Sequence, residues 1–212
     1  PAKPKLTRFH SSMDGVGSSP VLTRDSPSQS FLKPSAEVSW DEITFDSAQP
    51  LGDGNEGNVL LAHFRGQQVA VKVGGHERIV KEQKLMAKLR HPHVVRTLGH
   101  AKRRRSNPDN TDSLSYAGIY EYCHQRDLMI YLAQSTARSD VGKMTQIFDD
   151  ILAGLEYIHD NHEYRQTRGS IVHGDVKPEN IMIDLDGRAK LGDFGLAQYQ
   201  STNMDVQGTP SY

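Results

Sequence analysis

Apolar residues are spread unevenly along this 212-residue chain, and their pattern changes near Trp40. Residues Pro1 to Ser39 are crowded with Ser, Pro, Gly and Lys, hold few large apolar side chains and repeat at neither helical nor strand spacing. Such a segment buries too little apolar surface to offset its ordering entropy, so residues 1–39 read as a disordered leader. From Ile43 onward, short apolar runs are split by glycines. Asn58-Val-Leu-Leu-Ala62 and Gln68-Val-Ala-Val-Lys-Val73 read as neighbouring strands of an antiparallel sheet. The period then lengthens: Ile79, Val80, Leu85, Met86 and Leu89 predict a helix over Glu77 to Leu89, with Pro92 marking its exit. Ile147, Phe148, Ile151, Leu152, Leu155 and Ile158 give the strongest amphipathic helical pattern in the chain. Lys102 to Ser113 and Asp160 to Ser170 are polar and read as loop insertions. A sheet followed by helices predicts an α+β chain of two lobes, without internal repeats.

Composition excludes several classes of partner. With 36% hydrophobic and 24% charged residues, the chain is an ordinary globular type, neither fibrous nor stapled by disulfides. Its 25 Lys and Arg against 26 Asp and Glu give a net charge of −1, so no global field draws it to nucleic acid or to an anionic membrane. No apolar run is long enough to span a bilayer, and the start lacks the core of a signal peptide. The single cysteine, Cys123, cannot close an internal disulfide, which suits a reducing compartment, the cytoplasm or the nucleus. The basic run Lys102-Arg-Arg-Arg105 reads as a solvated loop rather than a localisation signal.

Candidate chemistry begins in the first hairpin. Leu51-Gly-Asp-Gly-Asn-Glu-Gly-Asn-Val59 sets Gly52, Gly54 and Gly57 at a spacing that lets backbone amides approach phosphate oxygens. In a dinucleotide-binding turn the same spacing opens a helix, whereas here Val59-Leu-Leu-Ala62 continues as a strand. Val69-Ala-Val-Lys72 places a lysine inside an apolar strand, where a bare ammonium is costly and needs a phosphate or carboxylate beside it. Glu82, in the following helix, is the carboxylate to pair with it. Each signal alone has a commonplace reading: a glycine-rich turn, a solvated strand-end lysine, a solvated helix glutamate.

Further on, His173-Gly-Asp-Val-Lys-Pro-Glu-Asn180 and Asp193-Phe-Gly195 resemble the catalytic loop and the metal-binding motif of eukaryotic-type Ser/Thr protein kinases. The spacing matches the family's, five positions from Asp175 to Asn180 and thirteen from Asn180 to Asp193. The resemblance covers about Ile43 to Tyr212. It implies a bilobal protein-kinase-like fold, with an N-terminal lobe and hinge over 40–123 built from a five-stranded antiparallel sheet and one helix. A mainly helical C-terminal lobe would follow over 124–212, expected to be incomplete because the family's Ala-Pro-Glu segment and later helices are not reached.

The same resemblance implies ATP and Mg2+ as cofactors and Ser or Thr hydroxyls of protein substrates as acceptors. Asp175 would orient the acceptor hydroxyl and Lys177 steady the γ-phosphate; Lys72 would contact the α- and β-phosphates with Glu82 fixing its position. Asn180 and Asp193 would supply oxygen ligands to magnesium. Leu51, Gly52, Gly54 and Gly57 are expected around ATP, with Val59, Ala70 and Met182 sandwiching the adenine. Glu121-Tyr-Cys123 resembles the hinge whose backbone bonds adenine, and Tyr120 the bulky residue at the rear of the pocket. Lys177 and Gly208-Thr-Pro-Ser-Tyr212 point to the Ser/Thr branch, with Thr209 expected to bond Asp175 and Lys177.

Two residues depart from the family pattern. Gly174 stands where many kinases have arginine, so no guanidinium is available to meet a phosphorylated activation loop, and Ser201 and Thr202 read as ordinary solvated residues. Thr97 falls near where the family buries an apolar residue behind the Glu82 helix, which is expected to loosen that helix. An ATP-binding pseudokinase or scaffold, an inactive fragment and a small-molecule phosphotransferase of the aminoglycoside type are the alternatives. The intact Lys72, Glu82, Asp175, Asn180 and Asp193 argue for turnover, and Lys177-Pro-Glu with Gly208 to Tyr212 for a protein acceptor.

Overall fold

From Val69 to Gly74 every position is buried or half-buried, as expected of a strand covered on both faces. The structure is a computed structural model, and it describes residues 36–54, 57–106, 112–160 and 170–200. Strands β1 (Ile43–Gly54), β2 (Gly57–Phe64), β3 (Gln67–Gly74), β4 (Thr97–Ser106) and β5 (Asp112–Glu121) form an antiparallel sheet in the order β1-β2-β3-β5-β4. One helix, α1 (Arg78–Met86), lies between β3 and β4 in sequence and packs against β5, β4 and β3. This is the α+β lobe that the sequence implied, five strands and one helix.

The second half begins with α2 (Leu128–Gln134) and α3 (Val141–His159), each started by an aspartate cap. Asp127 accepts from the Ile130 amide at 2.8 Å and Asp140 from the Lys143 amide at 3.0 Å, which satisfies donors that a helix start leaves open. Short strands follow: β6 (Ser170–Val172) pairs with β9 (Gln198–Gln200), and β7 (Ile181–Ile183) with β8 (Ala189–Leu191).

Two apolar clusters divide the sheet by face. On the outer face, Ala62, Val69, Val71, Ala117 and Ile119 are covered by Val38 and Trp40. The inner-face cluster runs on into the second half, joining Met86, Val95 and Tyr120 to Ile147, Ile183 and Phe194. Lys72 and Ala70 point to that inner side, which is where the site forms.

Several boundaries differ from the sequence reading. The segment read as a leader to residue 39 is paired from Ala36: the Val38 amide donates to the His100 carbonyl at 2.9 Å and the His100 amide to the Ala36 carbonyl at 3.2 Å. Val38 and Trp40 cover the outer face, an apolar contribution that the Ser/Pro-rich average of the segment conceals; residues 1–35 lie outside the described residues. Helix α1 stops at Met86, so Leu89 is buried from a turn rather than from the helix. Lys102 to Arg105 is not a loop but part of β4, with Lys102 paired to Glu37 at 3.0 Å, Arg104 to Asp112 at 3.4 Å, and the Arg103 guanidinium 4.5 Å from the centre of the Trp40 ring. Polar side chains on a strand's exposed face imitate a loop in composition. Of the second expected insertion, residues 161–169 lie outside the described residues, and Ser170 already belongs to β6.

Helix α3 begins at Val141, ahead of the apolar pattern that starts at Ile147, and it presents a different face. Ile147, Asp150, Gly154 and Ile158 are buried, whereas Phe148 and Leu152 are 60% and 59% exposed. Asp150 is there because it binds Arg188 with both carboxylate oxygens, at 2.6 and 3.0 Å, and the Ala189 amide at 2.9 Å. Those bonds fix α3 against β8, and a buried carboxylate needs partners of this kind.

Candidate functional site

The glycine-rich hairpin is the β1–β2 connection. Gly52 stands opposite Val59 and Gly54 opposite Gly57; Asn55 and Glu56 lie outside the described residues. Gly57 has φ +145° and a Cβ there would stand 2.3 Å from the Val73 carbonyl oxygen, so no other residue fits. Leu51, just before, has its carbonyl bonded by the Arg126 guanidinium, which ties the hairpin to the chain entering α2.

Register brings the next residues together. Lys72 on β3 faces Val59 on β2 and Gly118 on β5; Ala70 faces Tyr120. Lys72, a buried residue at 7% exposure, holds its ammonium 3.1 Å from Glu82 Oε2 on α1 and 2.9 Å from Asp193 Oδ1. Burial by itself would lower its pKa, but the two carboxylates outweigh burial and the net direction is upward, so Lys72 is a cation throughout the neutral range. Glu82 moves up from the ordinary glutamate value because burial disfavours its charge more than Lys72 restores it. The pairing expected from sequence is present, and Asp193 joins it.

The catalytic-loop residues form a second group. Lys177 Nζ is 2.8 Å from Asp175 Oδ2, and the Asn180 amide nitrogen donates to the same oxygen at 2.8 Å and to the Asp175 carbonyl at 2.9 Å. The hydrogen bond from Lys177, with that from Asn180 next, holds the Asp175 carboxyl below the usual aspartate value. His173 and Gly192 join the two groups. His173 Nε2 donates to the Gly192 carbonyl at 3.0 Å, which leaves Nδ1 to accept from the Asp175 amide at 3.3 Å. The Gly192 amide donates to the Asn180 carbonyl at 2.8 Å. Asp193 then follows at φ +54°, a left-handed turn that carries its carboxylate to Lys72. Phe194, almost fully buried, packs its ring 4.5 Å from that of His173.

The remaining expected residues fall around this centre. Met182 lies on β7 opposite Asp127, packed with Ala70 against the shared cluster. Glu121 ends β5, its carboxylate accepting from the Arg96 amide at 2.7 Å and from Lys190 at 3.1 Å. Cys123 is buried in the shared cluster, and burial pushes its thiol up to about 12, so its side chain is a neutral packing group. Tyr120 is buried with its hydroxyl toward Glu82 and Gln83. Thr97 does not leave α1 loose: its hydroxyl lies between the Gln83 amide oxygen and the Ile119 carbonyl, 3.3 Å from the latter. Ser201, Thr202, Thr209 and the Gly208 to Tyr212 segment lie outside the described residues.

Sequence reasoning missed Gln83, Arg126 and Lys190. Gln83 carried a signal: with Ile79 and Met86 it sits on the buried stripe of α1, a polar residue where an apolar one belongs. Arg126 and Lys190 carried none, since each acts on a residue distant in sequence. Among the described residues no group of three or more His, Cys, Asp or Glu side chains could hold a metal by itself. Asp193 and Asn180 fit a hard cation that takes few protein ligands, because Asp193 is half-exposed and Asn180, bonded through its amide nitrogen, presents its oxygen.

Comparison with known proteins agrees with this arrangement. The family described as protein kinase domain matches residues 45–212. A probable L-type lectin-domain containing receptor kinase S.5 of Arabidopsis thaliana is 32% identical over 79% of this chain and 26% of its own length. The receptor-like serine/threonine-protein kinase At2g45590 of the same plant is 33% identical over 77% of this chain and 24% of its own. The carbon catabolite-derepressing protein kinase of Saccharomyces cerevisiae is 30% identical over 79% of this chain and 26% of its own. The chain thus spans about a quarter of the length of these curated relatives. With the family's match covering most of the chain and its motifs gathered at one site, this chain belongs to the protein kinase domain family, of the eukaryotic Ser/Thr type.

Proposed function

We propose that this chain transfers the γ-phosphoryl group of ATP to Ser or Thr hydroxyls of proteins. The observation that carries the proposal is the joining of two charge groups, Lys72 between Glu82 and Asp193 and Asp175 between Lys177 and Asn180, through His173 and Gly192. Phosphoryl transfer asks little covalent chemistry of a protein and much positioning and charge neutralisation.

Lys72, a cation at neutral pH, neutralises the α- and β-phosphates under the hairpin glycines. Asp175, ionised because Lys177 and Asn180 stabilise its charge, accepts a hydrogen bond from the acceptor hydroxyl and orients its oxygen in line with the γ-phosphorus. The hydroxyl oxygen bonds to that phosphorus as the bond to the β–γ bridging oxygen breaks, the hydroxyl proton passes toward Asp175, and ADP leaves. Lys177, within reach of Asp175, follows the γ-phosphate charge. Magnesium, held by oxygens of Asp193 and Asn180, would supply further neutralisation of the phosphates.

The test is transfer of radiolabelled γ-phosphate from Mg-ATP to a mixed protein substrate and, in parallel, to aminoglycosides. Transfer to protein that Asp175→Ala lowers by about 10²- to 10⁴-fold is the expected result. ATP binding without transfer to any acceptor would replace the proposal with a pseudokinase, and transfer to aminoglycosides alone with a small-molecule enzyme.

A further inference from the structure

Behind the Lys72–Glu82 pair lies a group of buried polar side chains that the proposed transfer reaction does not use. Gln83 is fully buried and Thr97 and Tyr120 nearly so, all against α1 or the inner face of the sheet. A buried polar group without compensation costs more than its hydrogen bonds return, so three together in an otherwise apolar region require a reason.

The sequence makes room for them at one position. Gly118 on β5 stands directly opposite Lys72, and a Cβ placed there would be 2.7 Å from Gln83 Nε2 and 2.9 Å from the Tyr120 hydroxyl. The amide and the phenol therefore meet in the space that Gly118 leaves empty. Neither atom has a well-aligned protein hydrogen bond, although the hydroxyl lies against both Gln83 and Glu82. On the other end of the same amide, Gln83 Oε1 meets the Thr97 hydroxyl, and Thr97 faces Tyr120 across the β4–β5 pairing. One glutamine of α1 thus spans two strands, next to the glutamate that must reach Lys72.

We propose that Gln83, Thr97 and Tyr120 form a buried polar latch, housed beneath Gly118, that positions α1 so that Glu82 meets Lys72. They are positioning residues, each acting through Glu82. Apolar packing is non-directional and would let α1 slide or rotate, whereas a side-chain amide that accepts from Thr97 at its oxygen and lies against the Tyr120 hydroxyl at its nitrogen favours one rotation and register. Thr97, polar where the family pattern leads one to expect an apolar residue, is then the strand half of the latch rather than a defect in the core.

The latch rests on the phosphotransfer reading for its effect on rate, but its effect on α1 can be read without catalysis. The experiment compares the full chain with Thr97→Val, Thr97→Ser, Gln83→Leu and Gly118→Ala. Thr97→Val keeps shape and removes the hydroxyl; Thr97→Ser restores it; Gly118→Ala fills the chamber against the Gln83 amide and the edge of the Tyr120 ring. Hydrogen exchange of the α1 amides and steady-state phosphotransfer are measured for each. The expected result is about tenfold faster α1 exchange in Thr97→Val, Gln83→Leu and Gly118→Ala, with the rest of the sheet unchanged, near wild-type exchange in Thr97→Ser, and a kcat lowered several-fold at similar KM for ATP. Unchanged α1 exchange in folded Thr97→Val and Gln83→Leu overturns the latch, whatever the enzyme's activity. A wild type that transfers nothing while α1 exchange still responds as described supports the latch and counts against the phosphotransfer reading alone.

Discussion

Glu82 and Asp175 are both carboxylates of the site, yet their environments push them in opposite directions. Glu82 is raised above the ordinary glutamate value of 4.5 by burial, whereas Asp175 is lowered below 3.8 by its bond to Lys177. A raised carboxyl takes up its proton earlier as pH falls, and neutral Glu82 releases Lys72. The acid limb of kcat/KM should therefore lie above pH 4.5 and belong to Glu82, with Asp175 still ionised there. A pH profile checks this: Glu82→Gln should lower the plateau and abolish that limb, and a limb that persists assigns it elsewhere. Gly174 raises a different question, whether the arginine common at this position could be restored. Its φ is +81°, and a Cβ would stand 2.9 Å from the Leu196 carbonyl oxygen. Any side chain meets both a left-handed backbone and that carbonyl, so Gly174→Arg should cost about 1–3 kcal/mol by denaturant titration and lower transfer instead of adding phospho-control.

At the scale of elements, α3 shows how close packing reverses a rule. Gly to Ala inside a helix ordinarily gains up to about 1 kcal/mol. At Gly154, however, a Cβ would lie 2.6 Å from the His93 carbonyl oxygen, so α3 would have to back away from the turn before β4. Gly154→Ala should be net destabilising by about 1–2 kcal/mol, because overpacking against backbone exceeds the propensity gain. Arg188→Met leaves Asp150 buried beside His93 with only the Ala189 amide as a firm partner, and should cost roughly 3 kcal/mol, near the low end for breaking a buried pair because Arg188 is itself half-exposed. Thermal unfolding of the two variants measures both. The same helix marks the limit of what the sequence could convey. Its existence is legible from apolar spacing, but its start at Val141 and its buried face are not: Phe148 and Leu152 share the pattern with Ile147 yet lie exposed, because spacing alone does not say which side of a wide apolar stripe meets the core. The β2–β3 strands and the site motifs were legible because their signals are local. The Gln83 latch was not, since it depends on knowing that Gly118 stands across from Lys72.

At the scale of the two halves, polar ties among the described residues cross between the sheet and the helical half, among them Lys72 to Asp193, Arg126 to the Leu51 carbonyl, and Glu121 to Lys190. The first holds reacting groups and would open or shift when ATP enters. The third lies away from the phosphates, with both side chains largely buried and both Glu121 oxygens 3.1 Å from Lys190 Nζ. It is placed to set the distance between the end of β5 and β8, and with it the gap in which Ala70 and Met182 would enclose an adenine. Lys190→Met should cost only about 1 kcal/mol of stability, since Glu121 keeps the Arg96 amide and the apolar cluster still spans both halves. Its effect on ATP should be larger: a several-fold rise in KM for ATP with a smaller change in kcat, the mark of lost ground-state positioning. Because the pair is mostly shielded, half-molar salt should not reproduce that rise in the wild type. If KM stays constant in Lys190→Met, the shared apolar cluster alone fixes the two halves. The ion pair would then be a consequence of their closeness, since removing a tie that sets a distance must change the affinity of whatever fills that distance.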